Sequence, residues 1–393
     1  MALRRGPGLV FAALIGLLVA FGVVAVRFGL LQRLERRLLR PNAGRLSPGD
    51  FPAGVAAPVG DIASVPLRPT LIGFTPRGST AALLLAAGGA TTLGADLGGE
   101  RPSGGLFRTG YSLDAKAVVF SRESDLQKAL SLGAERGGVD MAALSVDLLA
   151  RWGSKLRDAS PRVLLLLGRS RGQEALAGLD VSQIDQLRGK RLAAYRDSPS
   201  YYFALWVLSR AGLGTDDVRW VDLSSSLEAG AALREGRADV AAGLRADLEL
   251  ASQDRGGGIL ASTADAPHLI ATVLVCRGEF AARYPDAVRR VLRGLLDAAQ
   301  SVSRESALAG RLLGEVAPYL GDPAEAIAQA PPAELRENLA FFGVAGEAPV
   351  TYEELYASAG SLFQRLLLVP APPPALDLLD LAPLRYVAEA RGP

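Results

Sequence analysis

The chain has 393 residues, enough for two domains or one large two-lobed body, and its formal net charge is only +2. It is 49% hydrophobic and 21% charged, the balance of a globular protein with an added apolar segment. The absence of a basic stripe with interleaved aromatics argues against nucleic acid as a partner. The single cysteine (Cys276) excludes an intrachain disulfide and a CxxC metal site, and the single histidine (His268) excludes a multi-histidine metal centre.

Taken in chain order, the first signal is at the N-terminus. Arg4 and Arg5 precede Gly8 to Val26, which carries no charge. As a helix this run reaches roughly 29 Å at about 1.5 Å per residue, close to the hydrocarbon thickness of a bilayer. It is a signal peptide or a signal anchor. The length of the apolar run, the lack of an obvious A-x-A site and the lack of a lipid-attachment cysteine favour an uncleaved anchor. Arg27, Arg33, Arg36, Arg37 and Arg40 follow the span, and the positive-inside rule alone would put the body in the cytoplasm. Phe28 to Arg40 has leucines at helical spacing and a basic face, suited to a membrane surface or a stalk. Residues 41–67, rich in Gly, Pro and Ala without a period, read as a tether.

From Arg68 onward apolar strands alternate with helical patterns. The sequence predicts strands at Thr70 to Phe74, Ala117 to Phe120, Val139 to Leu144 and Val163 to Leu167. The helices between them run from Ser79 to Ala87, from Ser121 to about Gly133, and onward from Ser145-Val146-Asp147. The Gly-rich stretch from Ala90 to Ala115 reads as a long loop with a short strand near Tyr111. A second series has strands at Arg191 to Tyr195, Val218 to Leu223, Asp239 to Ala242 and Ile259 to Ala261. Its helices span Ser200 to Ala211, Ser226 to Gly236 and Arg245 to Ser252. A return strand, Ile270 to Cys276, leads into a long helix from Glu279 to about Ser303. Ala307 to Ala359 is helical with Pro breaks, and the tail from Val369 to Pro393 reads as irregular chain. Two βαβ series with a return strand predict an α/β body of two lobes, the first interrupted by the second: 68–168, then 169–263, then 264–393 after the anchor and stalk (1–40) and tether (41–67). A ligand would sit between the lobes, at the carboxyl ends of strands.

Three turns that follow strands carry small hydroxyl residues at helix starts. They are Pro76-Arg77-Gly78-Ser79-Thr80, Leu144-Ser145-Val146 and Ser198-Pro199-Ser200. Helix N-termini offer unpaired N–H groups and partial positive charge, so Ser79, Thr80, Ser145, Ser198 and Ser200 are candidates to hold an anionic group; each also suffices as an ordinary N-cap. Gly168-Arg169-Ser170-Arg171-Gly172-Gln173 follows a buried strand at the presumed crossover. It offers Arg169 and Ser170 to the cleft, or is simply a solvated hinge turn. Tyr201, in the first turn of its helix, is a candidate to stack on a ligand, or packs in the core. GxxxxGK[ST] and GxGxxG are absent and no nucleophile elbow is read, so the sequence gives no positive sign of catalysis, cofactor or metal.

Leu187 to Leu250 resembles the second lobe of periplasmic substrate-binding proteins of the nitrate, sulfonate, taurine and thiamine-precursor group of ABC transporters. The residues that carry the likeness are Leu187-Arg188-Gly189-Lys190-Arg191-Leu192, Ser198-Pro199-Ser200-Tyr201-Tyr202-Phe203, Ala211-Gly212-Leu213, Val218-Arg219-Trp220-Val221 and Ala232-Leu233-Arg234-Glu235-Gly236-Arg237-Ala238-Asp239. A looser likeness runs from Pro69 to about Gln300. Where many relatives have Trp-Glu-Pro lining the pocket, this chain has Gly243-Leu244-Arg245-Ala246-Asp247, so ligand identity does not carry over.

The resemblance implies a type II periplasmic-binding-protein-like fold, two α/β lobes closing on a small molecule, with an N-terminal transmembrane helix added here. It implies Ser198 and Ser200 facing ligand from the second lobe, and Ser79, Thr80 and Ser145 from the first. It also implies an ABC permease and ATPase as partners, and an extracytoplasmic body against the reading of the arginines alone. The expected function is capture of a small anionic or zwitterionic organic solute, without chemistry of its own. A ligand-sensing or interaction module, and a thiamine-precursor-type biosynthetic enzyme, are the other readings of the same fold; the single histidine and the lack of evident paired carboxylates speak against the enzyme.

Overall fold

The computed structural model describes residues 65–94, 105–253, 255–366, 368 and 372–391. The apolar span, the basic stalk and nearly all of the tether lie outside these residues. Among the described residues no helix is long and apolar enough to cross a membrane.

Strand β1 (Thr70–Phe74) is buried along its whole length, which is why its sequence is continuous rather than alternating. A short 3-10 turn, Gly78–Thr80, leads into α1 (Ala81–Ala87). There follow β2 (Ala90–Thr92), α2 (Leu106–Tyr111), β3 (Ala115–Val119), α3 (Glu123–Leu132), β4 (Met141–Ser145), α4 (Val146–Trp152) and β5 (Arg162–Arg169). The chain then crosses into β6 (Glu174–Gly178), β7 (Arg191–Ala194), α5 (Pro199–Arg210), β8 (Arg219–Asp222), α6 (Ala229–Arg234), β9 (Val240–Leu244), α7 (Arg245–Gln253) and β10 (Gly258–Ser262). It returns through β11 (Ala271–Cys276) to α8 (Gly278–Arg283), α9 (Pro285–Val302), α10 (Ser306–Val316), α11 (Pro323–Gln329), α12 (Leu335–Phe341), α13 (Tyr352–Arg365) and α14 (Ala382–Arg391).

The strands form two sheets, a six-stranded one in the order β2-β3-β1-β4-β11-β5 and a five-stranded one in the order β10-β6-β9-β7-β8. In the first, β1 runs parallel to β3 and β4, so the carboxyl ends of all three share one edge. β11 is antiparallel to β4 and β5 and brings Thr272 opposite Ser145 and Ala271 opposite Arg169 at that edge. In the second sheet β6 is antiparallel to β9, which sets Glu174 opposite Leu244 at the carboxyl end of β9. The two crossings between the sheets are stitched together. The Ser170 amide donates to the Ile270 carbonyl (3.0 Å), and the Ser170 and Thr263 hydroxyls share a hydrogen bond of 2.6 Å. The Gly172 amide donates to the Thr263 hydroxyl (2.9 Å).

The C-terminal helices finish the first lobe. β5 is an edge strand, and an uncovered edge would leave backbone groups unpaired. Buried Asn338 on α12 acts as a surrogate strand: its Oδ1 accepts from the Leu166 amide (2.7 Å) and its Nδ2 donates to the Leu166 carbonyl (3.0 Å). The Ala333 amide donates to the Leu167 carbonyl (2.8 Å), and Leu379 bridges to Val163.

Three sequence expectations change. Tyr111 lies in α2, not in a strand. The helix expected from Glu279 to Ser303 breaks into α8 and α9 at Tyr284, whose backbone (φ −129°, ψ 58°) lies outside the helical region that a following proline disfavours. The tail after Val369 is not all irregular: α14 packs on α9, with Arg289 over the Tyr386 ring at 4.4 Å.

Candidate functional site

The turn after β1 points Arg77 along the edge where the strands end. Its Nη2 donates to Glu123 Oε1 (3.0 Å), at the start of α3, and its Nη1 donates to Glu174 Oε1, at the start of β6 in the other sheet. Arg77, Glu123 and Glu174 are 6%, 4% and 0% exposed, so this ion triad between the lobes is almost wholly withdrawn from water. Burial alone would lower the Arg77 pKa, but Glu174 and Glu123 outweigh it and the guanidinium is held more firmly charged than usual. Burial pushes the Glu123 carboxyl up, with Arg77 pulling the other way.

A third carboxylate stands in the first turn of α4. Asp147 is 2% exposed, and neither of its oxygens has a hydrogen-bond partner of good geometry. Burial pushes its carboxyl up to about 7, with Glu174 adding to the shift and Ser145 and Arg77 acting against it. Glu123 Oε2, Glu174 Oε2, the Ser145 and Ser200 hydroxyls and both amide atoms of Gln173 are likewise buried without a partner. Buried polar atoms are normally paired, so orphans contributed by both lobes near their boundary are a signature of a binding place. Tyr319 comes from the C-terminal segment to the same region, close enough to Arg77 and Glu123 to feel both, and burial raises its hydroxyl pKa well above the usual range.

Beside the ion triad lies a cavity of ≈ 10 Å³, lined by Arg77, Glu123 and Ser145 from the first lobe and Pro199 from the second. That is room for about one water, so an organic solute enters only if the lobes part.

The hydroxyl residues singled out by the sequence divide into two groups. Ser145 lines the cavity and Ser200 is buried with a free hydroxyl beside Pro199, which also lines it. Thr80 instead locks the Arg77 turn: its hydroxyl accepts from the Arg77 amide (3.1 Å) and donates to the Arg77 carbonyl (2.8 Å). Ser79 is buried under the same turn, so close to β5 that a Cβ on Gly168 would stand 2.7 Å from its Cβ. Ser198 is an N-cap; its Oγ accepts from the Tyr201 amide (3.2 Å) and donates to the Tyr195 carbonyl (2.7 Å).

The remaining candidates stand off the cavity. Tyr201 packs edge-on against Trp220 (5.1 Å between centroids) with Arg151 over its ring at 5.3 Å. Ser170 stitches the hinge. Arg169 turns toward the C-terminal helices, with its Nη2 donating to the Val350 carbonyl (2.9 Å), Nε 3.4 Å from Glu337, and its guanidinium over the Phe341 ring at 4.6 Å. The charged residues that replace Trp-Glu-Pro are engaged inside the second lobe: Asp247 accepts from the Gly230 amide (2.8 Å), and Arg245 pairs with Glu249 (2.7 Å).

Sequence reasoning missed the acids. Glu174 stands one residue beyond the GRSRGQ hinge, and the local pattern marks Asp147 only as part of a turn and Glu123 only as helix. The usable signal was positional: Arg77, Glu123 and Asp147 each follow within four residues the end of a strand that runs parallel to its neighbour.

Residues 172–305 match the family model described as NMT1/THI5 like. No curated protein sequence matches the chain. Among solved structures, the alkanesulfonate-binding protein of Xanthomonas axonopodis pv. citri, bound to MOPS, is similar with a TM-score of 0.62 at 17% identity, over 81% of this chain and 100% of that one. The periplasmic nitrate-binding protein of Synechocystis PCC 6803 gives 0.60 at 13% identity, over 82% and 89%. The desulfurization enzyme DSZB gives 0.53 at 14% identity, over 82% and 99%. Two of these are binding proteins and one is an enzyme, and at such identities the likeness shows the fold. The described chain has the periplasmic-binding-protein fold, and its residues 172–305 carry an NMT1/THI5-like domain.

Proposed function

We propose that this chain is a membrane-tethered solute-binding protein that captures a small organic solute between its lobes and delivers it to an ABC permease and ATPase. One observation carries the reading. Buried polar atoms from both lobes, Glu123, Ser145 and Asp147 on one side and Gln173, Glu174 and Ser200 on the other, keep hydrogen-bonding capacity that the closed protein does not use. Opening separates Arg77 from Glu174 and exposes these groups; a solute satisfies them, and closure presents one shape to the permease. The apolar run from Gly8 to Val26 supports a tether. The fold shared with periplasmic sulfonate- and nitrate-binding proteins supports a body on the extracytoplasmic face. Of the anionic and zwitterionic solutes that the sequence suggests, the carboxylates of the cleft support the zwitterionic.

The experiment is denaturing extraction of the purified full-length chain followed by mass spectrometry of the released small molecules. A stoichiometric organic molecule, absent from a variant whose cavity is filled by Ser145→Phe, supports the proposal. A chain that carries nothing, and whose melting temperature is unmoved by deproteinised cell extract, refutes it. The tightness of the ≈ 10 Å³ cavity favours a second reading, an interaction module that uses the closed fold as a surface, and the second outcome selects it.

A further inference from the structure

We infer that the cleft recognises a cationic nitrogen, a primary ammonium or an amidinium-like group, which lies among Glu123, Asp147 and Glu174. The inference rests on the solute-binding reading above and names the chemistry of that site. Three buried carboxylates face one another's fields at the lobe boundary, and Arg77 is the guanidinium that bears on all three. Three carboxylates against one guanidinium leave two negative charges when all are ionised, and one when Asp147 holds its proton. A buried charge persists only when it is paired and hydrogen bonded.

The orphan atoms have the matching character. Glu123 Oε2, Glu174 Oε2 and both Asp147 oxygens are acceptors without a donor of good geometry, beside the hydroxyls of Ser145 and Ser200, which can accept as well. Glu123 and Ser145 line the cavity itself, and both are more than nine-tenths buried. An ammonium offers three donors and a positive charge, and an amidinium a planar fork; either supplies what these acceptors lack. A sulfonate or nitrate offers only further acceptors and negative charge. Among the described residues no three His, Cys, Asp or Glu come together closely enough to hold a metal ion. The sulfonate- and nitrate-binding structures share this fold; the charge of the cleft here sets a different ligand pole.

The groups that face Asp147 are Ser145 on β4, Arg77 on the β1 turn, Glu174 on β6 and Tyr202 on α5. A cation seated beside it displaces the Asp147 proton, so binding releases protons below about pH 7 and tightens as pH rises toward that value.

The test uses three probes of one skeleton on the full-length chain at constant ionic strength: ethanolamine as the cation, taurine as the zwitterion and isethionate as the anion, each at millimolar concentration. Melting temperature and calorimetric binding are followed, the latter in two buffers of different ionisation enthalpy. Ethanolamine or taurine should raise the melting temperature, bind at least about tenfold more tightly than isethionate, and release protons at pH 6. Asp147→Asn, which keeps the shape and relieves a buried charge, should fold normally, remove the proton release and weaken the cation at least about tenfold. Isethionate binding as well as or better than ethanolamine and taurine overturns the inference while leaving the solute-binding reading intact. No response to any of the three, with the wild-type protein folded, counts against both.

Discussion

The guanidinium of Arg77, carried on the turn after β1, is hydrogen bonded to the carboxylate of Glu174 at the first residue of β6, and so joins the two sheets across the cleft. Glu123 holds the same guanidinium from the first lobe. A buried pair of this kind adds little net stability over an apolar pair, but removing one member strands the other. It therefore behaves as a latch that favours one closed arrangement.

Arg77→Ala should lower the unfolding free energy by about 3–5 kcal/mol, because Glu123 and Glu174 are left buried without a countercharge. Urea unfolding at neutral pH in deproteinised cell extract, where the lobes are closed on solute, measures this. A loss under about 1 kcal/mol would mean that both carboxylates reach water and that the latch is open in solution.

Asp147 gives the stability a pH dependence of defined sign. Its carboxyl is raised from the ordinary 3.8 to about 7 by burial. Between those values the folded protein keeps a proton that the unfolded chain has lost, so this contribution is complete below about pH 4, declines as pH rises to about 7, and is flat above. Melting temperature should fall over that window in the wild type, and the slope should be reduced in Asp147→Asn. Identical profiles for the two proteins would contradict the assignment.

Arg169 separates a structural role from a binding role. Its contacts are with Glu337, the Val350 carbonyl and the Phe341 ring, all in the C-terminal segment. Arg169→Ala should cost about 2 kcal/mol of stability and leave solute affinity unchanged. An affinity loss of tenfold at unchanged stability would return Arg169 to the cleft.

Ser198 and Ser200 should behave oppositely although they are two residues apart. Ser198→Ala loses an N-cap and should cost about 1 kcal/mol. Ser200→Ala removes a buried hydroxyl with no partner, so stability should hold or rise while solute binding weakens. Denaturant unfolding and titration of both variants check the pair.

The sequence was most informative where burial writes itself into composition. TLIGF at Thr70–Phe74 and the apolar core of β5 are strands because both faces are covered, and a run of apolar residues is the trace of that. β6 was missed because EALAG is short and of low strand propensity; its partners β9 and β10 hold it there, and no local pattern announces them. The same holds for the site. The position of Ser145 at the end of β4 is legible because it is local information. The meeting of Glu174 with Arg77 joins residues 97 apart and needs the antiparallel return of β6 beside β9. The direction of the Arg169 side chain is not legible for the converse reason: the end of β5 lies at the cleft edge, but α12 and Val350 draw the guanidinium toward the C-terminal helices.

The most direct measurement is a distance across the cleft. Cys276 is fully buried, so spin labels at Lys128→Cys on α3 and Ser209→Cys on α5, both exposed positions, report on the two lobes without interference. Pulsed electron resonance on the full-length chain, refolded after denaturing extraction has removed any bound solute, should show a longer distance in buffer that gives way to the shorter, closed one in deproteinised cell extract. A single unchanged distance under both conditions would contradict capture of a solute by closure.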